Sequence, residues 1–234
     1  MKKNYDKKIV VLRKKIDETE VLEILDNKKT ALFKSIFSRP KKSDIHIHSV
    51  KLYYECILMI SGKYVANYFR KATHSISVNS NVSAVVLGDD IFSVRTKSNF
   101  KKAIVGKRGK NKVDLKLEEH VFVENEDELT FDHHGREIKF PFKLNSKTTE
   151  NYPNRLLEKN SSHVKTSELS HDDAIKKLQS FLKKPLEDEV RKLEEEFVLR
   201  EISEVYVPIY EARLIGPKKK IAIIRIDAVR NKIL

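Results

Sequence analysis

The chain reads as an α+β protein, a largely antiparallel sheet with flanking helices, its two ends suggesting a pair of helix-strand-strand units. Three observations predict this. Runs between residues 44 and 144 are rich in β-branched and aromatic residues, apolar residues near both ends recur at helical spacing, and glycine-centred breaks separate the runs. The expected divisions are an N-terminal basic segment and helix over 1–43, a β-rich domain over 44–144, a linker or long loop over 145–167 and a helix-hairpin unit over 168–234.

Taken in order, Ile9 to Leu12 among lysines read as a short first strand. A basic amphipathic membrane-surface segment is the other reading of that stretch. Val21, Ile24, Leu25, Leu32, Phe33, Ile36 and Phe37 then fall at helical spacing, so a helix is expected over 17–37 with Asp17 or Thr19 as its cap. Pro40 ends it, because proline disfavours helical geometry in the residue before it. "IHIHSVKLYYECILMI" and "KYVANYFRKATHSISV" read as paired strands turning at Ser61-Gly62, and a further short pair turns at Gly88-Asp89-Asp90.

After the basic loop "GKRGKNK", alternation resumes from Val113 to Leu144, with Phe140 and Phe142 on one face. The stretch 145–168 is polar and aperiodic. Ser170 and Asp173 open a helix whose apolar face is Ala174, Ile175, Leu178 and Leu182, and Pro185 breaks it. The spacing Leu186, Val190, Leu193, Phe197 predicts a second, acidic helix over 186–200. A hairpin through Gly216-Pro217 closes the chain, and Pro208 places its first strand at an edge or a bulge, since proline donates no ladder hydrogen bond.

Composition narrows the function. The 234 residues, 40% hydrophobic, suffice for a core without staples, and a single cysteine, Cys56, excludes an intramolecular disulfide and a cysteine-rich zinc site. No apolar run approaches the ~20 residues of a membrane span, and the start lacks a secretory h-region, so no membrane insertion and a cytoplasmic location are expected. The net charge of +13 is uneven: residues 1–112 carry 25 Lys+Arg against 10 Asp+Glu, and residues 113–234 carry 22 against 24. Such asymmetry favours a polyanionic partner.

Several chemistries lack their residues. "GKRGKNK" has neither the spacing nor the hydroxyl of a phosphate-binding P-loop, and no Gly-x-Ser-x-Gly elbow occurs. Glu118, Glu119 and His120 offer no carboxylate pair at a defined separation. His46 and His48 face the same way on a strand and His133 and His134 are contiguous, which raises a metal site and a metal-dependent hydrolase as a third reading, but nothing in the sequence brings the two pairs together. No cofactor is implied.

The leading expectation is a non-enzymatic protein that contacts the backbone of RNA or DNA. Its candidate residues are Lys63 and Arg70 with Tyr64 and Tyr68 as a stacking platform, Lys107, Arg108, Lys110 and Lys112 on the basic loop, and Lys218, Lys219 and Lys220 at the last hairpin tip. A rival expectation is a protein partner, docked through hairpin edges and the acidic helix, with the lysines serving solubility.

Overall fold

A computed structural model describes residues 6–34, 40–94, 111–185 and 189–234. The fold is α+β and mostly antiparallel. A seven-stranded sheet has the order β5 (Asn111–Phe131), β2 (His46–Val78), β7 (Val190–Ile215), β8 (Ile221–Asp227), β9 (Lys232–Ile233). Two strands pair in parallel beside this path: β1 (Asp6–Val11) along Glu201–Tyr206 of β7, and β6 (Val164–Lys165) along Tyr54–Glu55 of β2. A separate hairpin joins β3 (Ala84–Leu87) to β4 (Asp90–Ser93), its turn made by Gly88 at φ +60°.

Two compact units contain these elements. The first comprises Met1–Lys63, Glu126–Leu182 and Val198–Leu234, and the second Tyr64–Asn125 and Lys183–Phe197. In the first unit both sheet faces carry packed side chains. On one, helix α1 (Glu18–Phe33) lays Val21, Leu25 and Phe33 against Tyr210, Ala212, Leu214, Ile224 and Ile226. Beside it, Leu156 and Leu157 of helix α2 (Pro153–Lys159) pack near Tyr54, Cys56 and Tyr206. On the opposite face Ile57, Val205, Val207 and Ile209 meet Ile138, Phe140 and Phe142. Helix α3 (His171–Leu182) buries Ala174, Leu178 and Leu182, as its spacing predicts.

Helix α1 starts where the sequence says it should. Asp17 accepts from the Glu20 backbone N–H at 3.0 Å while the Glu20 carboxylate accepts from the Asp17 N–H at 2.9 Å, so two otherwise orphaned donors are satisfied. Asp17→Ala removes one arm of this box, and the expected loss is about 1 kcal/mol of stability in chemical denaturation.

Four expectations are corrected. Gly62 is not a turn but a buried position inside β2, which runs unbroken for 33 residues. Residues from Val190 on form strand, not an acidic helix, because the acids find partners across strands: Glu195 accepts from Tyr64 Oη at 2.6 Å, and Lys183 lies 2.7 Å from the same carboxylate. Leu186 and the expected end of α1 at Ile36 and Phe37 lie outside the described residues. The expected strand over 136–144 shrinks to an isolated bridge, Glu137 to Phe131, with Ile138 N–H donating to Thr130 O at 2.9 Å; Phe140 and Phe142 beyond it pack against the sheet, and the expected linker carries α2 and β6. Of the two expected helix-strand-strand units, the hairpin through Gly216 stands, but the helix expected before it at 186–200 is strand from Val190, and no hairpin turns at Gly62.

Pro208 needs neither an edge nor a bulge. On one side of β7, β1 pairs as far as Tyr206 and β8 begins pairing at Ile209, so the missing N–H falls in the gap between two partners. Its carbonyl still accepts from Ala228 at 3.0 Å.

Candidate interaction surface

The β7–β8 hairpin presents exposed lysines and isoleucines to solvent. Its turn closes with Gly216 N–H donating to Lys220 O at 2.8 Å, and Lys218 and Lys219 hold φ of 57° and 58°, in the left-handed region. Gly216 is required by packing, because a Cβ there would lie 2.5 Å from Phe33 Cδ1 at the end of α1. The support is therefore fixed, and Lys218, Lys219 and Lys220 all project into solvent with no acidic partner among the described residues.

Hydrogen bonding fixes the phase of β8. Gly216 N–H donates to Lys220 O on the β7 side, whereas Leu234 N–H donates to Arg225 O at 2.9 Å on the other. Backbone groups of even-numbered residues therefore turn toward β7 and those of odd-numbered ones turn away. On that outer side β9 pairs only with Ile226 and Asp227. The N–H and C=O groups of Ile221 and Ile223 consequently have no strand partner among the described residues, and their side chains are 58% and 55% exposed. Cross-strand from them on β7 lie half-buried Ile215 and exposed Arg213, and Lys232 is exposed on β9. Neither cation has an acidic partner among the described residues.

Further along the same sheet face sits a charged cluster. Glu55, 7% exposed, accepts from Lys165 Nζ at 3.0 Å and from an Arg225 guanidinium N–H, and His133 Nδ1 approaches to 3.5 Å. Burial pushes the Glu55 carboxyl up, but Lys165, Arg225 and His133 more than offset it and hold the group below the usual carboxylate range. Burial holds the His133 imidazole below its ordinary value against the opposing pull of Glu55. A carboxylate so neutralised is a weak base, and this arrangement is poorly suited to acid-base catalysis near neutrality. Glu55, His133 and Arg225 line a cavity of about 240 Å³ whose walls also include Ile57, Ile138, Phe142 and Ile209.

The residues predicted from sequence are not equally available. In the second unit Tyr64 and Tyr68 lie on one strand face as expected, but they are 3% and 5% exposed, which leaves no ring face for a base to stack on. Burial and the Glu195 hydrogen bond push the Tyr64 hydroxyl up to about 12. Arg70 Nε is 2.8 Å from Glu119, which also meets His74 at 2.6 Å. Lys63 is half-buried and already engaged by a neighbour. Lys112 is exposed, without an acidic partner among the described residues, while Lys107, Arg108 and Lys110 lie outside them.

His46 and His48 are exposed on β2, and the His133 and His134 rings lie 3.8 Å apart at a tilt of 39°, with His134 Nδ1 3.0 Å from Glu168. No group of three His, Cys, Asp or Glu side chains among the described residues could hold a metal ion. Burial pushes the Cys56 thiol up to about 12, which suppresses the thiolate. No helix among the described residues is long and apolar enough to cross a membrane.

Sequence reasoning placed the last hairpin but missed its open edge. The only available signal was the stretch "IAIIRI", apolar at every position but Arg225, which has more apolar positions than one buried face can use. No family profile, curated protein or solved structure matches this chain, so the functional argument rests on the geometry above.

Proposed function

We propose that the protein is a non-enzymatic binding protein that docks a partner chain along the outer edge of β8. The observation that carries the reading is the pair of outward-turned backbone positions at Ile221 and Ile223, without a strand partner among the described residues and with both side chains more than half exposed. Natural sheets blunt or cover such edges, and an extended segment that adds a strand to one gains main-chain hydrogen bonds at once. Ile223→Pro tests it selectively: the lost N–H points away from β7, so the ladder below survives while an added strand loses a donor. Peptides selected from an unbiased library on the wild-type protein should bind this variant at least about tenfold more weakly, one good hydrogen bond and its neighbours being worth about 1.4 kcal/mol. Equal binding to both proteins sinks the reading.

A second reading, contact with the backbone of RNA or DNA, is favoured by the exposed lysines 218, 219 and 220 and by the net charge of +13. Burial of Tyr64 and Tyr68 and the pairing of Arg70 reduce it to a purely electrostatic form. Under it, oligonucleotide binding weakens with salt, and each lysine replaced lowers the log–log slope by about 0.9 for duplex. A salt-titrated series on the wild type and a turn variant measures this directly; no binding at low salt removes the reading.

A further inference from the structure

We infer that the strand accepted by β8 is acidic: an extended peptide with two apolar β-branched residues at i and i+2, flanked by Asp or Glu. The inference rests on the edge-docking reading and adds to it the chemistry of the partner.

Three features converge on it. The open length of β8 runs from Ile221 to Ile224, bounded at one end by the turn 217–220 and at the other by β9, so it holds about four residues of an added strand. Its apolar contacts lie on one sheet face, where Ile221 and Ile223 stand two residues apart beside Ile215. A strand beside them therefore presents alternate residues to that face, and β-branched side chains suit a pleated, half-covered surface. Both ends of the open length are cationic. Lys218, Lys219 and Lys220 stand at the turn, Lys232 stands on β9, Arg213 lies one strand inward, and none has an acidic partner among the described residues.

The same charges argue against a second copy of this chain. Two β8 edges laid antiparallel bring each lysine turn toward Lys232 of the other, cation against cation. Lysines at an open edge thus oppose self-pairing while admitting a strand of opposite charge. Charge then sets specificity and encounter rate, and the isoleucines and the edge hydrogen bonds hold the complex.

The test uses the full chain and four fluorescent probes read by anisotropy: an acidic peptide with a Val-Thr-Val centre and two acids at each end, its lysine-ended counterpart, oligoglutamate of equal length, and a mixed-sequence RNA oligonucleotide. Amide hydrogen exchange at Ile221 and Ile223 reports the register. Expected are binding of the acidic peptide with both amides protected, at least tenfold weaker binding of the lysine-ended and oligoglutamate probes, and a comparable loss on Lys218→Asn, Lys219→Asn, Lys220→Gln. Asparagine tolerates the left-handed dihedrals of the turn, so that variant keeps its fold. Equal binding of acidic and lysine-ended peptides, both protecting the edge, overturns this inference and leaves edge docking standing. Binding of the RNA alone, with neither amide protected, overturns edge docking itself. A dimer in sedimentation that Ile223→Pro abolishes makes the occupant a second copy and likewise overturns the acidic partner.

Discussion

Leu214→Ala is expected to lower the stability of the first unit by about 2–5 kcal/mol, the range for truncating a fully buried leucine. Leu214 is inaccessible to solvent, and it lies where β7 meets α1, in one cluster with Val21, Leu25 and Phe33. Its loss removes transfer free energy and leaves a void beneath the helix. Its cross-strand partner is Ala222, which is too small to fill that void. The strand ladder fixes the floor, so collapse is limited and the value should fall in the upper half of the range. Urea denaturation gives the magnitude. Hydrogen exchange should show protection lost first in α1, and a loss below about 1 kcal/mol would mean that the helix does not depend on this contact.

Glu55→Gln should cost about 2 kcal/mol and change how stability depends on pH. Removing one partner of a buried ion pair costs about 3–5 kcal/mol, because the remaining charge loses its compensation. Lys165 and Arg225 are each about one-third exposed, so water recovers part of that. The folded protein holds the Glu55 carboxyl below its ordinary value of 4.5. Its contribution is therefore complete above that value, where the unfolded chain is also ionised, and is lost as pH falls through the lower, folded value. In the variant that component of acid sensitivity is absent. His133, held low by burial, adds acid sensitivity beginning nearer neutrality, so the Glu55 component is read from the difference between the two proteins at the acid end. Unfolding curves at a series of pH values check it, and parallel profiles would show the carboxylate to be energetically idle.

Local signals were legible where one short stretch determines the outcome. The Asp17 cap, one of two candidates, the Ser170 start of α3 and the Gly88 turn each depend on a few neighbouring residues, and each stands where the sequence puts it. Gly62 failed because glycine also serves a buried strand interior, and composition cannot separate that from a turn. The stripe through Val190, Leu193 and Phe197 failed because its helical spacing competes with pairing partners remote in sequence, among them Tyr64 for Glu195.

The site was less legible than the fold. Alternation put Tyr64 and Tyr68 on one face, but only packing decides which face is covered. At Ile221 to Ile226 five of six residues are apolar, so the pattern names no inner side, and the direction of the backbone groups is set by Gly216 and Leu234.

The pairing of β1 with β7 joins Asp6 to Glu201 and Val11 to Tyr206, residues far apart in the sequence. On a ribosome that contact must wait until β7 has emerged, since closing so large a loop precedes any gain from the pairing. In the interval the nascent β2, with its long apolar stretch, lacks its neighbour β7, and a holding chaperone would find its substrate there.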